Sequence, residues 1–294
     1  MNKTIKLSVC NETSELESAI LGIGLDRGAP RDINPMMRMH LEKNTYPVTE
    51  RICNEIDELE AVLQQNGVHV VRPKNVSEIE QIFVRDIGFV IEDYFFISNM
   101  RHATRLEELK GISFLFDSFK PDKLIHIPKD ITIEGGDVVL WNDFIFLGIG
   151  DRTTKRGAAF LQQFFPKKTI YTFDLVTDQN NSLTNVLHLD CTFQPIGKDE
   201  AIICMEGFKT EPLKLLELFP GEKLLKITLE QKVRMFPNVF SIAPHKVIIE
   251  KGFLELKIEL SKRGYEVFLV DYKETSKLNG LFRCSILPLR RRES

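Results

Sequence analysis

The stretch "GDVVLWNDFIFLGIG" (residues 136–150) contains two short apolar runs separated by the polar pair Asn142–Asp143. Runs of this length, divided by a turn-forming pair, predict two antiparallel strands joined by a tight turn. The same pattern recurs as "RDIGFVIEDYFFIS" (85–98), "DCTFQPIGKDEAIICM" (190–205) and "NVFSIAPHKVIIE" (238–250). The four stretches begin at residues 85, 136, 190 and 238, so the steps between them are 51, 54 and 48 residues. The chain therefore contains a repeated hairpin.

Between the hairpins come a helix-like segment and a further strand. The clearest example is "YPVTERICNEIDELEAVLQQNGVHVVRP" (46–73), where Ile52, Ile56, Leu59 and Leu63 keep helical spacing and Gly67 is placed to stop the helix. The strand "VHVV" (68–71) follows this helix. Comparable strands are predicted at "DKLIHI" (122–127), "KTIYTF" (168–173), "EKLLKI" (222–227) and "GYEVFL" (264–269).

The two ends of the chain supply a fifth hairpin, "SAILGIG" (18–24) with "FRCSILPL" (282–289). Five equivalent units that cannot each bury an apolar face must stack or close, and radial closure leaves few exposed strand edges. We therefore predict an α/β fold of five units around an axis, as a single domain over residues 1–294 that its two termini complete. An open α/β sheet with evenly spaced elements is the alternative.

Composition narrows the functional classes. The chain has 294 residues, 43% hydrophobic and 28% charged, with a net charge of −3, so no strong positive field is present to hold nucleic acid or an anionic membrane. No run of about 18 apolar residues predicts a membrane span. The first residues lack a secretory signal pattern, and the five cysteines are scattered without a C-x-x-C pair. These features predict a cytoplasmic chain without a disulfide framework.

Polar residues stand where the first strand of each hairpin begins. If the units surround an axis, these side chains converge on one site. They are Arg85 and Asp86, Glu134 and Asp137 in "EGGD", His188 and Asp190 in "HLD", Asn238, and Arg283 and Cys284.

This set of residues suits attack on a cationic carbon. A thiolate is a nucleophile, a histidine moves protons near neutral pH, and an oriented carboxylate fixes the imidazole or a cation. Several carboxylates around one cavity repel each other unless a cation lies between them, and a guanidinium pairs with carboxylates through its fork of donors. A metal ion is the competing use, but the set has one histidine and no paired ligand spacing, so we expect neither a metal nor another cofactor.

Several motifs resemble the guanidino-group-modifying enzymes, which include arginine deiminases, dimethylarginine hydrolases and amidinotransferases. They are "EGGDVVLWNDFIFLGIGDRTT" (134–154), "HLDCTF" (188–193) and "RCSILPLRR" (283–291), in the family's order. The segment 46–73 resembles the amidinotransferase branch. The resemblance implies a five-bladed pseudo-symmetric α/β propeller, the pentein fold, in agreement with the repeat.

The resemblance also implies roles for individual residues. Cys284 would be the nucleophile and His188 the general acid and base, while Glu134 would assist His188 or bind the guanidinium. Asp86 and Asp190 would hold guanidinium nitrogens, and Arg152 would meet a substrate carboxylate unless it only begins the following helix. We also assign Asp137 and Asn238 to substrate binding, although Asn238 is equally compatible with a cap or a turn.

The implied reaction is attack of Cys284 on the guanidino carbon of arginine or a related compound, with a covalent thiouronium intermediate. Transfer to an amine acceptor, as in an amidinotransferase, is the predicted outcome; hydrolysis is the alternative, and a non-catalytic propeller or a metal-dependent hydrolase are others. A homodimer is a further expectation. The sequence departs from the family at Gly150 and Thr154, which stand where a serine and an asparagine are usual, and at Leu281, because only Gly280 remains of a glycine run.

Overall fold

Five three-stranded sheets form the framework of the molecule in a computed structural model, which describes residues 5–292. In every sheet an antiparallel hairpin is extended by a third strand that runs parallel to the central one. The sheets consist of β1 (Leu16–Leu21), β2 (His69–Val71) and β15 (Ile286–Arg291); β3 (Gly88–Ile91), β4 (Tyr94–Ile97) and β5 (Leu124–His126); β6 (Val138–Trp141), β7 (Phe144–Ile149) and β8 (Thr169–Asp174); β9 (Phe193–Ile196), β10 (Glu200–Ile203) and β11 (Leu224–Lys226); and β12 (Phe240–Ala243), β13 (Lys246–Glu250) and β14 (Glu266–Val270).

The hairpin turns lie where the sequence places its polar breaks. The backbone has positive φ at Glu92 (54°), Asn142 (51°) and Gly197 (62°), the first turn residue of three hairpins. In the hairpin of β6 and β7, Val138 pairs with Leu147 and Trp141 with Phe144, so two residues make the turn. Positive φ at this position suits the twist of a two-residue hairpin.

Helices connect the hairpins to their third strands. In α2, the four predicted apolar positions are all fully buried, and the helix ends at Gln65, two residues before Gly67 with φ of 80°. The corresponding segment between β4 and β5 consists instead of 3₁₀ turns at Ala103–Gly111 and Ser113–Ser118. The α-helices are α1 (Pro35–Glu42), α2 (Thr49–Gln65), α3 (Val84–Ile87), α4 (Arg156–Phe164), α5 (Leu213–Leu218), α6 (Leu229–Val233), α7 (Leu254–Lys262), α8 (Lys273–Ser276) and α9 (Phe282–Ser285).

The chain ends meet in one sheet, as predicted. β1 pairs antiparallel with β15, from Leu16 opposite Arg291 to Leu21 opposite Ile286. The α/β class and the five hairpin units are thereby confirmed, and the five sheets fit a pseudo-fivefold arrangement. Closure into a propeller stays a prediction, as does the assignment of residues 1–294 to one domain.

Apolar residues of the strands and helices form two core clusters. One holds the buried face of α2 and strands β9 to β13, and the other holds β3, β4 and Leu161 of α4. Among residues 5–292, no helix is both long and apolar enough to cross a membrane.

Candidate active site

Four short helical turns contact one another, and each directly precedes a strand of a hairpin. They are α3, the 3₁₀ turns Gly135–Asp137 and Leu189–Cys191, and α9. The turns carry Asp86, Asp137, Asp190 and Cys284, whose exposed fractions are at most 2%. The predicted convergence of polar residues therefore occurs, in a region closed to bulk water.

Two glycines allow the turns to pack this closely. A Cβ atom on Gly136 would lie 2.7 Å from Cγ of His188 and 2.8 Å from Oδ1 of Asp86. A Cβ atom on Gly135 would lie 2.0 Å from the carbonyl oxygen of Arg85. The "GG" of "EGGD" is thus required by the approach of two neighbouring turns.

Cys284 lies in α9 with its sulfur among polar groups. The side-chain amide of Asn238 donates to Sγ at 3.2 Å, and Oδ2 of Asp190 lies 3.7 Å from the same sulfur. Burial and the negative charge of Asp190 raise the pKa of Cys284 well above its usual value, although the Asn238 hydrogen bond opposes the rise. The free protein therefore holds a neutral thiol at pH 7.

His188 and Glu134 form a fully buried pair, with Nε2 and Oε2 2.8 Å apart. Burial disfavours the charged imidazole, but Asp86 and Glu134 raise the pKa of His188 to about 9. Burial also disfavours the charged form of Glu134 and so raises its pKa, but His188 and Arg152 lower that pKa to about 2. The pair is therefore an imidazolium and a carboxylate at neutral pH. Nδ1 of His188 faces Oδ1 of Asp86 at 3.6 Å, and neither atom has a hydrogen-bond partner among residues 5–292.

The remaining predicted residues take up positions around this pair. Oδ1 of Asp137 accepts a hydrogen bond from the backbone amide of Leu189 at 2.9 Å, and burial raises the pKa of Asp137 to about 7. Oδ2 of Asp190 accepts from Nη1 of Arg283 at 2.9 Å. Asp137 thus holds the turn that carries Asp190, whereas Asp190 lies between an arginine and the thiol.

A small cavity of about 10 Å³ opens onto Cys284 and Asp86. This is roughly the room that one water molecule needs. Three charged side chains share its wall: Arg105, Arg152 and Glu80. Arg152 precedes α4, which begins at Arg156, and its side chain is 2% exposed, with Nη1 3.4 Å from Oε2 of Glu134. The alternative that Arg152 begins the helix is therefore wrong.

The segment that begins α1 contributes to the cavity wall. Asn34 and Met37 belong to the wall, together with Leu278 and Asn279. The side chain of Asn34 caps α1 by accepting from the amide of Met37 at 2.9 Å, and it donates to the carbonyl of Leu278 at 3.4 Å. A cavity of about 10 Å³ holds nothing larger than water, so binding of a larger substrate requires movement of the cavity wall.

Sequence reasoning missed Arg105, Glu80 and Thr153. Arg105 is 5% exposed; its Nη1 donates to Oδ2 of Asp86 at 2.8 Å and its Nε to Oε1 of Glu108 at 2.7 Å. Thr153 Oγ1 accepts from the backbone amide of Glu134 at 3.1 Å. The only available signal was an arginine three residues before a glutamate in "TRLEE", a spacing that is also common on exposed helices.

The positions that depart from the family pattern differ in how much room surrounds them. A Cβ atom on Gly150 would lie 3.4 Å from its nearest neighbour, a methyl carbon of Thr177, so the position has room for a small side chain. A Cβ atom on Gly280 would lie 2.5 Å from the ring of Phe83, which borders the cavity. The amide of Leu281 donates to Oδ1 of Asn238 at 3.0 Å.

Asp86, Glu134 and His188 also bring three metal-ligand atoms within 4.8 Å of one another. Both carboxylates already pair with arginines, Arg105 and Arg152, and the imidazole is held charged. A protonated imidazole has no lone pair to give a metal ion, so His188 is not a metal ligand in this protonation state. The expectation that the chain uses no metal stays a prediction.

Comparison with known protein families gives a match over most of the chain. A model of the family described as "N,N dimethylarginine dimethylhydrolase, eukaryotic" matches residues 27–291. The uncharacterized protein YkgA of Bacillus subtilis strain 168 is 30% identical over 265 residues, which cover 90% of this chain and 88% of YkgA.

Solved structures share the fold. The amidinotransferase SxtG of Microseira wollei superposes with a TM-score of 0.77 at 18% identity and covers 98% of both chains. The N-terminal domain of ArgZ, an arginine dihydrolase of cyanobacteria solved with a covalently bound reaction intermediate, gives a TM-score of 0.80 at 18% identity, over 93% of this chain and 98% of the domain. At this level of identity, the similarity shows the fold alone.

Proposed function

Because this chain belongs to the family of eukaryotic N,N dimethylarginine dimethylhydrolases, a family of guanidino-group-modifying enzymes, we propose that it hydrolyses the guanidino group of arginine through Cys284. One observation carries the proposal. The thiol of Cys284, the charged pair of His188 and Glu134, and the carboxylates of Asp86 and Asp190 all belong to one buried cluster. This cluster contains a nucleophile, a proton donor and a binding site for a cation.

The charges around the cavity fit an α-amino acid that carries a guanidinium. Asp86 and Asp190 are acceptors for N–H groups on the two terminal nitrogens. A guanidinium that keeps its N–H groups on both terminal nitrogens therefore fits better than one in which a terminal nitrogen carries two methyl groups. At the cavity wall, Arg105 and Arg152 supply positive charge for an α-carboxylate and Glu80 supplies negative charge for an α-ammonium group.

Substrate binding also activates the nucleophile. Because burial and neighbouring carboxylates raise the pKa of Cys284, the thiol is neutral in the free protein. A guanidinium bound beside Asp86 and Asp190 offsets that negative charge and lowers the thiol pKa, so the thiol proton passes to solvent as the cation enters. The thiolate then faces an electrophilic carbon at short range.

Bond changes follow from the protonation states. Sγ of Cys284 bonds to the guanidino carbon, the bond from that carbon to a terminal nitrogen breaks, and the imidazolium of His188 gives the departing ammonia its proton. The cationic thiouronium remains on the sulfur. Neutral His188 takes a proton from water as the water oxygen bonds to the same carbon. The carbon–sulfur bond then breaks to restore the thiolate, and the hydroxyl proton of the new ureido group is released to solvent. The products are a ureido amino acid, ammonia and one proton.

Amidino transfer, predicted from the sequence, is the second candidate. The feature in its favour is the segment 46–73, which resembles the amidinotransferase branch. Transfer would release the alkyl amine of arginine first, and a second amine would take the place of water. Thus the two candidates share Cys284 and His188 and differ in their products.

Product analysis after incubation with arginine tests both candidates. We expect citrulline and ammonia, and a lower rate with N,N-dimethylarginine. Ornithine together with an amidino adduct of an added amine would instead support transfer. Intact mass spectrometry after an acid quench should detect the thiouronium adduct on the peptide that contains Cys284.

A matched pair of variants tests the nucleophile. Cys284→Ala should lose turnover by about 10⁴-fold or more and form no adduct, whereas Cys204→Ala, at a buried cysteine that contacts Glu206, should keep activity. Turnover that persists in Cys284→Ala, or that vanishes with a chelator in the wild-type protein, would rule out the thiol mechanism.

A further inference from the structure

Three buried arginines gather around Glu12, and one of them, Arg283, also pairs with Asp190. Arg85, Arg283 and Arg291 are at most 4% exposed. Nη2 of Arg85 lies 2.9 Å and 3.1 Å from the two carboxylate oxygens of Glu12, and Nη2 of Arg283 lies 2.9 Å from Oε1. Arg291 donates through Nη1 to the carbonyl of Ser14. Within residues 5–292, the structure gives Arg291 no carboxylate at ion-pair distance.

Several donors of this arginine cluster are unused. Nε of Arg85, Nε of Arg283, and both Nε and Nη2 of Arg291 are buried without a hydrogen-bond partner in the described part of the chain. A guanidinium has donors and no acceptor, so these atoms cannot satisfy one another. Nε and Nη2 of Arg291 lie along one edge of the guanidinium, so both are free for a single acceptor from outside the described chain.

The charges of the cluster do not balance. Three guanidinium groups face Glu12 and Asp190, which leaves one excess positive charge. Burial lowers the pKa of Arg85 to about 10 and that of Arg291 to about 9, and the positive charges of their neighbours act in the same direction. Burial raises the pKa of Glu12, but Arg283 and Arg85 lower it to about 2. Glu12 is therefore ionised at neutral pH, and its negative charge already pairs with these two arginines. An unbalanced charge away from water is costly.

We infer that a monovalent anion of halide size, with chloride as the ordinary occupant, binds in the arginine cluster next to Arg291. The unpartnered N–H donors supply its ligands, and its single negative charge offsets the excess. Water would accept the same hydrogen bonds but would leave the charge unbalanced. A phosphate or sulfate would bring more charge and volume than the cluster requires. The inference is independent of the proposed reaction.

Thermal unfolding in matched salts tests the site. At constant ionic strength, replacement of sodium gluconate by sodium chloride should raise the Tm of the full-length protein in a saturable manner. The rise should be about 5 °C at a chloride concentration about 100 times the dissociation constant. Arg291→Met removes the excess charge and should abolish the response. Arg292→Met, at the neighbouring exposed residue that pairs with Glu15, should retain it.

A second measurement uses the wild-type protein, so it does not require the Arg291→Met variant to fold. Crystals of the wild-type protein grown with sodium bromide should show an anomalous peak within hydrogen-bond distance of Nη2 of Arg291. A Tm that does not distinguish chloride from gluconate, together with water and no anomalous peak in the cluster, would refute the inference. An equal chloride response in the Arg291→Met and Arg292→Met variants would also refute it, because the anion would then bind elsewhere.

Discussion

The side-chain amide of Asn238 connects the sulfur of Cys284 to the turn that carries it. Its Nδ2 donates to Sγ at 3.2 Å, while its Oδ1 accepts from the amides of Leu281 and Cys284 at 3.0 and 3.3 Å. The sequence predicts only a polar residue at the start of a strand and assigns it to substrate. The geometry favours a positioning role, in which Asn238 orients the thiol and stabilises its thiolate.

Asn238→Ala should therefore lower kcat by about 10²-fold, since one donor to a developing charge is lost. The same variant should raise the pKa of Cys284, because the hydrogen bond from Asn238, which lowers that pKa, disappears. The pH dependence of inactivation by iodoacetamide measures this pKa in the absence of substrate. Reduced kcat with an unchanged thiol pKa would mean that Asn238 acts only through the fold of the turn.

The buried pair of His188 and Glu134 gives the protein a pH-dependent stability. The pKa of His188 is raised to about 9, so its contribution is complete below pH 6.5 and is lost as the pH rises through 9. The pKa of Glu134 is lowered to about 2, so its contribution is present above about pH 4.5 and is lost as the pH falls through 2. The pair thus stabilises the fold most between about pH 4.5 and pH 6.5, where both contributions are present.

A histidine-labelled protein should show this shift directly by nuclear magnetic resonance. The ring of His188, assigned by comparison with His188→Gln, should titrate near pH 9, and in Glu134→Gln its midpoint should move down toward 6.5 because the paired charge is gone. His126, exposed at the end of β5, provides a reference within the same spectra. A midpoint that is unaffected by Glu134→Gln would contradict the charged pair and the role of His188 as an acid.

At the scale of elements, the long apolar patterns were predictable and the short turns were not. The hairpins and α2 follow from alternation, polar breaks and helical spacing over many residues. The turns at Gly135–Asp137 and Leu189–Cys191 contain three residues each, too few to show a period. The sequence predicts only that their polar residues converge, because the repeat places these residues where the first strand of each hairpin begins.

Elements that reach the site from outside the repeat were missed for a different reason. The contact of Asn34 with Leu278 joins residues 244 positions apart, and the contact of Glu12 with Arg283 joins residues 271 positions apart. Such pairs depend on how the units are arranged, which a local pattern does not specify. Arg105 was missed because a buried arginine and an exposed one have the same sequence signal until burial is known.

At the scale of the whole molecule, the joining of the two ends has a physical consequence. The amide of Ser8 donates to the carbonyl of Leu289 at 3.1 Å, and the amide of Arg291 donates to the carbonyl of Ser8 at 2.7 Å. β15 also contacts β3, so the last strand links the sheet of the termini to the next one. If the five units close into a ring, as we predict, the position of the natural ends should matter less than the completeness of the ring.

A circular permutant distinguishes a closed ring from an open row of sheets. The termini would be joined by a short Gly/Ser linker and new ends made in the exposed turn at Gly221, which has φ of 60° and nothing within 4 Å of an added Cβ. Because every sheet stays intact, the permutant should unfold cooperatively with a Tm within about 5 °C of the wild-type value. Deletion of residues 286–294 removes β15 and should abolish cooperative unfolding. A stable truncated chain, or a permutant that fails to fold when β15 is present, would contradict ring closure, because the final strand would then be neither necessary nor sufficient to complete the fold.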